Sequence, residues 1–473
     1  MGNIVQYAGI GRLAGPRGLT AAVIVSTVTL TGLLATPAQA AAASGKTELI
    51  SKAAGTVAAT GESQYPSVTP DGRYVAFQSL AANLTSKPDQ LGNWDVFVRD
   101  TKTNKTVKVS TGLKGAEADG TSVRPDITPD GRYVAFESTA GNLVKGDTTG
   151  LATEIFVKDL KTGKTTRISK AQGPQEYGGE YEPSISADGA TIAFSSNRAD
   201  LVKGDTNGSS DVFVWKRSTG RLTRVSVSSS GGQGGTGSYV PYSGSENAQI
   251  TANGKTVVFQ SGDDNLVKGD TNNLSDIFVH SLTTGKTTRV SVGAKGQQAT
   301  GGVASVRRGP NTPTISADGK IIAFSGFSLK GLVKANTGDA DQIFVLNRTT
   351  GKTTLAVKTL DGKVSADNVE NGTISPDGRF VAFETSSSQM VAGDAGNDDD
   401  IFVRDLKKAR TARATVGLKG QEPNQGAGIY SLALSTGGKA VVFNSMATNL
   451  VTAPVTGFND LYLYRFAKNF WAR

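Results

Sequence analysis

The chain has 473 residues, a formal net charge of +9, no cysteine and a single histidine. That composition excludes disulfides, a Cys-His pair and a His-rich metal site, so the fold must rest on its core. No block of basic residues interleaves with aromatics, which argues against nucleic acid; a weak attraction to an anionic wall or lipid surface is the most the charge suggests.

In chain order, residues 1–40 read as an export signal. Arg12 and Arg17 form a basic start, Leu19 to Ala35 an apolar centre, and Ala38-Gln39-Ala40 a small-residue cleavage site. The alternative is a retained anchor. The mature protein, residues 41–473, is expected to be exported and monomeric.

From there a repeat takes over, shown best between Pro183 and Val227. Ser184-Ile185-Ser186 predicts a short strand, and Asp188-Gly189 a tight turn at positive φ. Thr191 to Ser196 predicts the returning strand, Asn197 to Ser210 a polar loop, Asp211 to Trp215 a third strand, and Leu222 to Val227 a fourth. The turn recurs at Asp71, Asp130, Asp188, Asp318 and Asp377, with Asn253-Gly254 and Gly437-Gly438 in two weaker copies, at spacings of 59, 58, 65, 65, 59 and 60 residues. Phe77, Phe136, Phe194, Phe259, Phe324, Phe383 and Phe443 hold one equivalent place and predict packing between sheets.

Seven four-stranded units predict an all-β, seven-bladed β-propeller; a linear solenoid is the competitor. The seventh unit lacks its fourth strand, while residues 45–52, beginning Gly45-Lys46-Thr47, match the fourth strand of the repeat at Gly285-Lys286-Thr287. A ring closed by that N-terminal strand hides the edges that a solenoid leaves open. The pattern P-x-[IV]-[ST]-[PA]-D-G-x-x-[IV]-A-F, followed by D-[IV]-F-V-x-D and a Thr-Gly turn, resembles the TolB-like (PD40, WD40-like) propeller repeat. The resemblance covers nearly all of residues 41–473. It implies a propeller fold and a peptide or protein partner at the channel mouth, and it says little about activity.

Two loops break the pattern, Ser228 to Ser245 and Gly293 to Pro310, the second carrying Arg307-Arg308. Both are expected on the channel face that also carries the loops between second and third strands, the default binding surface. On that face Asp205, Asn207 and Asp211 alternate as calcium ligands do, and Asp270, Asn272 and Asp276 repeat them. Position 12 of each loop is Lys216 or Ser281 rather than glutamate, and the sister loops degrade at Asp147, Asn336 and Asp394. An Asx turn at the strand entry is the competing account.

His280 aligns with Arg99, Lys158, Trp215, Leu346, Arg404 and Tyr464 and is expected to be solvated, which leaves no Ser-His-Asp triad. Glu180, Glu182, Glu246 and Glu370 lie at or before first strands and are the candidate channel-mouth groups. The composite expectation is a secreted, non-catalytic binding or scaffold propeller of the cell envelope, engaging a peptide, protein or glycan at the mouth. The alternative is a polysaccharide-acting enzyme using a carboxylate pair.

Overall fold

The computed structural model describes residues 44–146, 152–169, 179–235, 244–272, 274–300, 313–327, 329–335, 338, 340–428 and 432–472. Seven separate four-stranded antiparallel sheets follow one another in chain order. Blade 1 consists of Ser63–Val68, Tyr74–Ser79, Asp95–Asp100 and Lys105–Lys108. Blades 2 to 6 occupy 122–167, 180–224, 245–289, 314–355 and 370–413. Blade 7 takes Ala433–Leu434, Ala440–Ser445 and Asp460–Phe466 from the end of the chain and Gly45–Leu49 from its beginning. The expected closing strand is therefore present, paired in register from Gly45 opposite Phe466 to Leu49 opposite Tyr462.

Local chemistry explains the blade. In the Asp-Gly turn the aspartate does more than tolerate its backbone. Thr69 Oγ1 donates to Asp71 Oδ1 at 2.6 Å, the amide of Arg73 donates to the same oxygen, and the amide of Tyr74 donates to Thr69 Oγ1. The same pattern stands at Thr128, Ser186 and Ser316. Glycine is needed twice over: Gly131 has φ of 71°, and a Cβ there would lie 2.5 Å from the Tyr74 ring of the preceding blade.

The seven phenylalanines are buried, and each stacks on the ring opposite it in its third strand at 5.4–6.0 Å. Each apolar cluster joins two neighbouring blades, as where Val96 and Val98 of blade 1 pack on Val134 and Phe136 of blade 2. The sheets are therefore held by their faces, and the ring is stabilised by burial rather than by continuous pairing.

First strands line the channel, and they begin earlier than expected. In blade 3 the strand is Glu180–Ile185, with a bulge between Tyr181 and Ser184. Bulges recur in blades 1, 2, 4 and 6. The inner edge is not left unpaired. Backbone amides of Ile127, Ile185, Ile250 and Ile374 donate to Ser67, Asp126, Ser184 and Thr314, each on the preceding blade. Side chains thus take the place of a ladder partner around the channel.

Beyond the last strand, Phe470 and Trp471 are buried against Phe466, and Trp471 Nε1 donates to the carbonyl of Gly438 at 2.7 Å. Arg410 of blade 6 donates to the carbonyl of Phe470 at 2.8 Å, so the tail bridges blades 6 and 7. The expected export segment 1–40, Asp147, Asn336 and Arg307-Arg308 lie outside the described residues.

Candidate functional site at the channel mouth

The start of each first strand, the loop from second to third strand and the connection to the next blade open on one face, because the four strands alternate in direction. Two sets of charged residues gather there.

The outer set contains the expected calcium ligands. Asp205 and Asp211 do face one another, but the Arg224 guanidinium lies between them, 2.9 Å from Asp205 and 3.1 Å from Asp211. Asn207 presents its amide nitrogen, not its oxygen, to Asp211 at 3.0 Å, and its Oδ1 accepts from the amide of Ser209. Asp270, Asn272 and Asp276 repeat this arrangement, with Arg289 at 2.7 Å and 3.3 Å from the two aspartates. A divalent ion would have to displace a guanidinium in both places.

Two larger clusters, Asp89 with Asp95 and Glu117, and Asp394 with Asp400 and Glu422, bring three carboxylates close enough that they could hold a metal ion. Here too a protein cation is already present. Lys108 Nζ lies 2.6 Å from Asp95 and pairs with Glu117, and Arg413 lies 3.1 Å from Asp394 and 3.3 Å from Asp400. Burial pushes Asp270 and Asp400 up to about 6 and Asp95 up to about 7 against these cations.

Sequence reasoning missed this cation, although a signal existed. The basic residue sits two places before the Ser or Thr whose hydroxyl binds the third-strand aspartate, as Ser110 binds Asp95 at 2.6 Å. Where it becomes Leu355 in blade 5, the third-strand acid becomes Gln342 and the loop acid Asn336. In that blade acid and base disappear together; in blade 7 the base is replaced by Leu49 while the acid, Asp460, stays and accepts from Ser51.

The inner set surrounds the channel. At one register of the first strand, just inside the bulge, Tyr65, Arg124, Glu182, Asn247 and Asn371 all have φ between 48° and 59°. Tyr65, Arg124 and Glu182 precede prolines, where helical backbone of either hand is disfavoured. Acceptors on the preceding blade hold this conformation: the amide of Arg124 donates to Gln78 at 2.9 Å and that of Glu182 to Glu137 at 2.6 Å. In blade 3 the equivalent residue is Ser195, which is too short, and the Glu182 carboxylate accepts from the amide of Asn247 instead.

Arg124 lies 3.6 Å from both Glu137 and Glu182, with Tyr65 beneath it at 5.4 Å. Burial raises Glu137 and Glu182 to about 7, opposed by the Arg124 charge. The ring borders a channel cavity of about 290 Å³ whose charged groups, Arg124, Asp126 and Glu182, come from blades 2 and 3, with Leu432 and Leu434 on the side of blade 7.

The four glutamates expected at the mouth separate into three registers. Glu182 belongs to the left-handed ring. Glu246, exposed, and Glu370, half-buried, stand one residue outside it. Glu180 is not at the mouth. It is fully buried, accepts from Ser169, lies 3.8 Å from the equally buried Arg198, and is pushed up to about 8 by burial.

His280 also departs from expectation. It is buried, with Nδ1 2.9 Å from Thr287 Oγ1, and burial lowers its pKa. Thr287 donates its own proton to the carbonyl of Val227, so Nδ1 is the donor to Thr287. The single histidine is thus a packing residue on a third strand, away from the channel.

Geometry and topology define the class: a seven-bladed, four-stranded β-propeller with a polar, strained channel mouth. No family model matches the chain, and no curated protein matches its sequence. Among solved structures it is similar to an oligogalacturonate lyase in complex with manganese, at 14% identity and a TM-score of 0.51, over 91% of this chain and 98% of that one. It is also similar to the β-propeller domain of the Trilobed protease from Pyrococcus furiosus, at 12% identity and 0.49, over 86% and 96%. For TolB from Acinetobacter baumannii the values are 17% and 0.37, over 74% and 77%. Likeness at these identities concerns the fold alone.

Proposed function

We propose that this propeller is a secreted, non-catalytic binding module of the cell envelope whose ligand, a peptide, protein or glycan segment, enters at the channel mouth. The observation that carries the reading is the ring of left-handed, non-glycine residues. Each costs on the order of 1–3 kcal/mol of backbone strain, and such strain collects where side chains must be held toward a ligand. The channel beneath is concave, mixed in polarity and preformed, as binding sites are. The resemblance of the repeat to the TolB-like type agrees with a binding role.

Cross-linking pull-down from the native envelope tests it, comparing wild type with Glu246→Ala, a change at an exposed rim position. Capture of a defined partner that this change weakens, with melting unchanged, is the expected result. The competing reading is a polysaccharide-acting enzyme using Glu137 and Glu182, two carboxyls held near neutrality beside a guanidinium. Oligogalacturonate, which the lyase's name specifies, and envelope glycans are the substrates to try. Turnover that Glu182→Gln removes would overturn the binding-only reading.

A further inference from the structure

Because the strands of each blade alternate in direction, the turns from first to second and from third to fourth strand open on the face opposite the mouth. The chain's net charge of +9 is concentrated there. The turns from third to fourth strand carry exposed bases at both ends, Lys102 with Lys105, Lys161 with Lys164 and Lys216 with Arg221, and the same turns of blades 4 to 6 carry lysines of their own. None of these named bases makes an ion pair among the described residues. The acids of this face are engaged inside the fold. Asp100, Asp159 and Asp405 clamp the turn arginines Arg73, Arg132 and Arg379 at 2.8, 2.9 and 2.6 Å. Asp71, Asp130 and Asp188 each accept from a hydroxyl and a backbone amide of their own turn. The mouth face is built differently. Lys108, Arg224, Arg289 and Arg413 are enclosed there by buried acids, and exposed lysines such as Lys203 and Lys268 share the face with exposed acids such as Glu246 and Asp264.

Sheet register makes the basic face level. In all seven blades the second and third strands close on the same pairing step, from Tyr74 opposite Asp100 in blade 1 and Tyr133 opposite Asp159 in blade 2 round to Ala440 opposite Arg465 in blade 7. The turns therefore end at one height around the ring. Aromatic rings on this side are not open for stacking: Arg73 lies over Tyr74 at 4.6 Å, and Arg132 and Arg217 cover Tyr133 at 4.7 and 3.8 Å. None of the exposed large apolar side chains among the described residues lies in these turns, whereas Phe327, Met446 and Phe458 stand at strand ends and a loop of the mouth face. A level ring of unpaired cations, with no apolar wedge, fits a planar array of phosphates. Single-stranded nucleic acid is held on open aromatics, which this face lacks, and one linear polyanion would reach only a few blades at a time.

We infer that the face opposite the channel mouth is a peripheral docking surface for an anionic lipid bilayer. It is held by charge, without insertion, and it turns the mouth away from the membrane. Docking of this kind does not depend on what the mouth binds.

The test sediments residues 41–473, which hold all the blades and the closing strand, with vesicles of phosphatidylcholine alone or mixed with phosphatidylglycerol, at low and at physiological salt. Binding to the anionic vesicles, absent from the neutral ones and weakened by salt, is the expected result. Lys161→Gln with Lys164→Gln should weaken it by about fivefold per charge, and Lys102→Gln with Lys105→Gln should do the same. These lysines are exposed and make no internal ion pair, so both pairs should melt as the wild type does. Lys203→Gln with Lys268→Gln removes equal charge from the mouth face and should leave binding unchanged. The chain has no cysteine, so a dye on Thr162→Cys, in a turn of the basic face, can be compared with one on Thr452→Cys, in a mouth loop. Energy transfer to headgroup-labelled lipid should be stronger from the first. Equal weakening by the mouth-face pair, or stronger transfer from the mouth dye, overturns the assignment to this face. No sedimentation with anionic vesicles at low salt overturns the docking surface, and binding of soluble polyphosphate without binding of vesicles would give the face to a linear polyanion instead. Partner capture at the mouth stands or falls separately.

Discussion

At the residue scale, Lys108, Arg224, Arg289 and Arg413 do within their blades what a bound cation would do. Each is mostly buried between acids that are themselves buried, so removing the base strands two charges. Arg224→Met should therefore cost about 3–5 kcal/mol, read from chemical denaturation. The same geometry makes a sharp statement about calcium. Wild-type protein should melt at the same temperature in calcium and in chelator, because guanidinium groups already stand between Asp205 and Asp211 and between Asp270 and Asp276. The double variant Arg224→Ser, Arg289→Ser should melt lower and recover about 1 kcal/mol per site when calcium is added, given the weak affinity of a loop without a bidentate glutamate. A calcium-dependent shift in the wild type would show that the ion displaces arginine.

At the scale of elements, two segments close the ring. Gly45–Leu49 pairs along its whole length with Asp460–Phe466, and Ser51 Oγ donates to Asp460 at 2.8 Å beyond the end of the ladder. Deleting residues 45–52 should expose the edge of the last blade and lower the thermal midpoint by several degrees or cause aggregation, checked by scanning fluorimetry and light scattering. The tail is the second closure. Trp471→Ala removes a large buried side chain packed on Phe380 and Phe466 and should destabilise by about 3–5 kcal/mol, with its effect seen first as loosening of blades 6 and 7 in hydrogen exchange.

At the scale of the whole molecule, burial of carboxyls sets the pH response. Glu180 is raised to about 8, Glu137 and Glu182 to about 7 and Asp460 to about 6, in each case chiefly by burial. A carboxyl whose folded pKa lies above its unfolded value stabilises fully below the unfolded value, about 4, and loses that contribution as pH rises through the folded value. Asp100, held at about 2 chiefly by hydrogen bonds from Arg73, has the opposite sign and loses its contribution only in acid below about pH 4. The thermal midpoint should therefore be higher near about pH 5.5 than near about pH 8.5. Asp460→Asn should reduce that difference, because Leu49 stands where blades 1 to 4 and 6 have a base, so hydrogen bonds such as that from Ser51, and no basic side chain among the described residues, oppose the burial of its charge. A midpoint that climbs between those pH values would contradict this account.

The repeat itself was open to reading in the sequence. Turn chemistry, strand alternation and the phenylalanine register are local, and seven copies reinforce one another, so the propeller and the closing strand at Gly45 follow from the chain alone. The calcium-like spacing at Asp205 and Asp270 was legible too, but not its meaning. Arg224 and Arg289 lie 13 residues beyond the third-strand aspartates and meet them only when the fourth strand folds back in register. Burial was likewise decided in three dimensions. Glu180 and Glu182 are two residues apart, yet a bulge lets one lie between blades 2 and 3 while the other joins the channel ring. His280 stands at a position that alternation alone would leave facing water, and the adjoining blade covers it through Thr287 and Val227. Local pattern determines which strands form, because backbone propensity and turn geometry act over a few residues. Which charges meet, and which are removed from water, depends on blades packing face to face around a closed ring, and only the tertiary structure decides that.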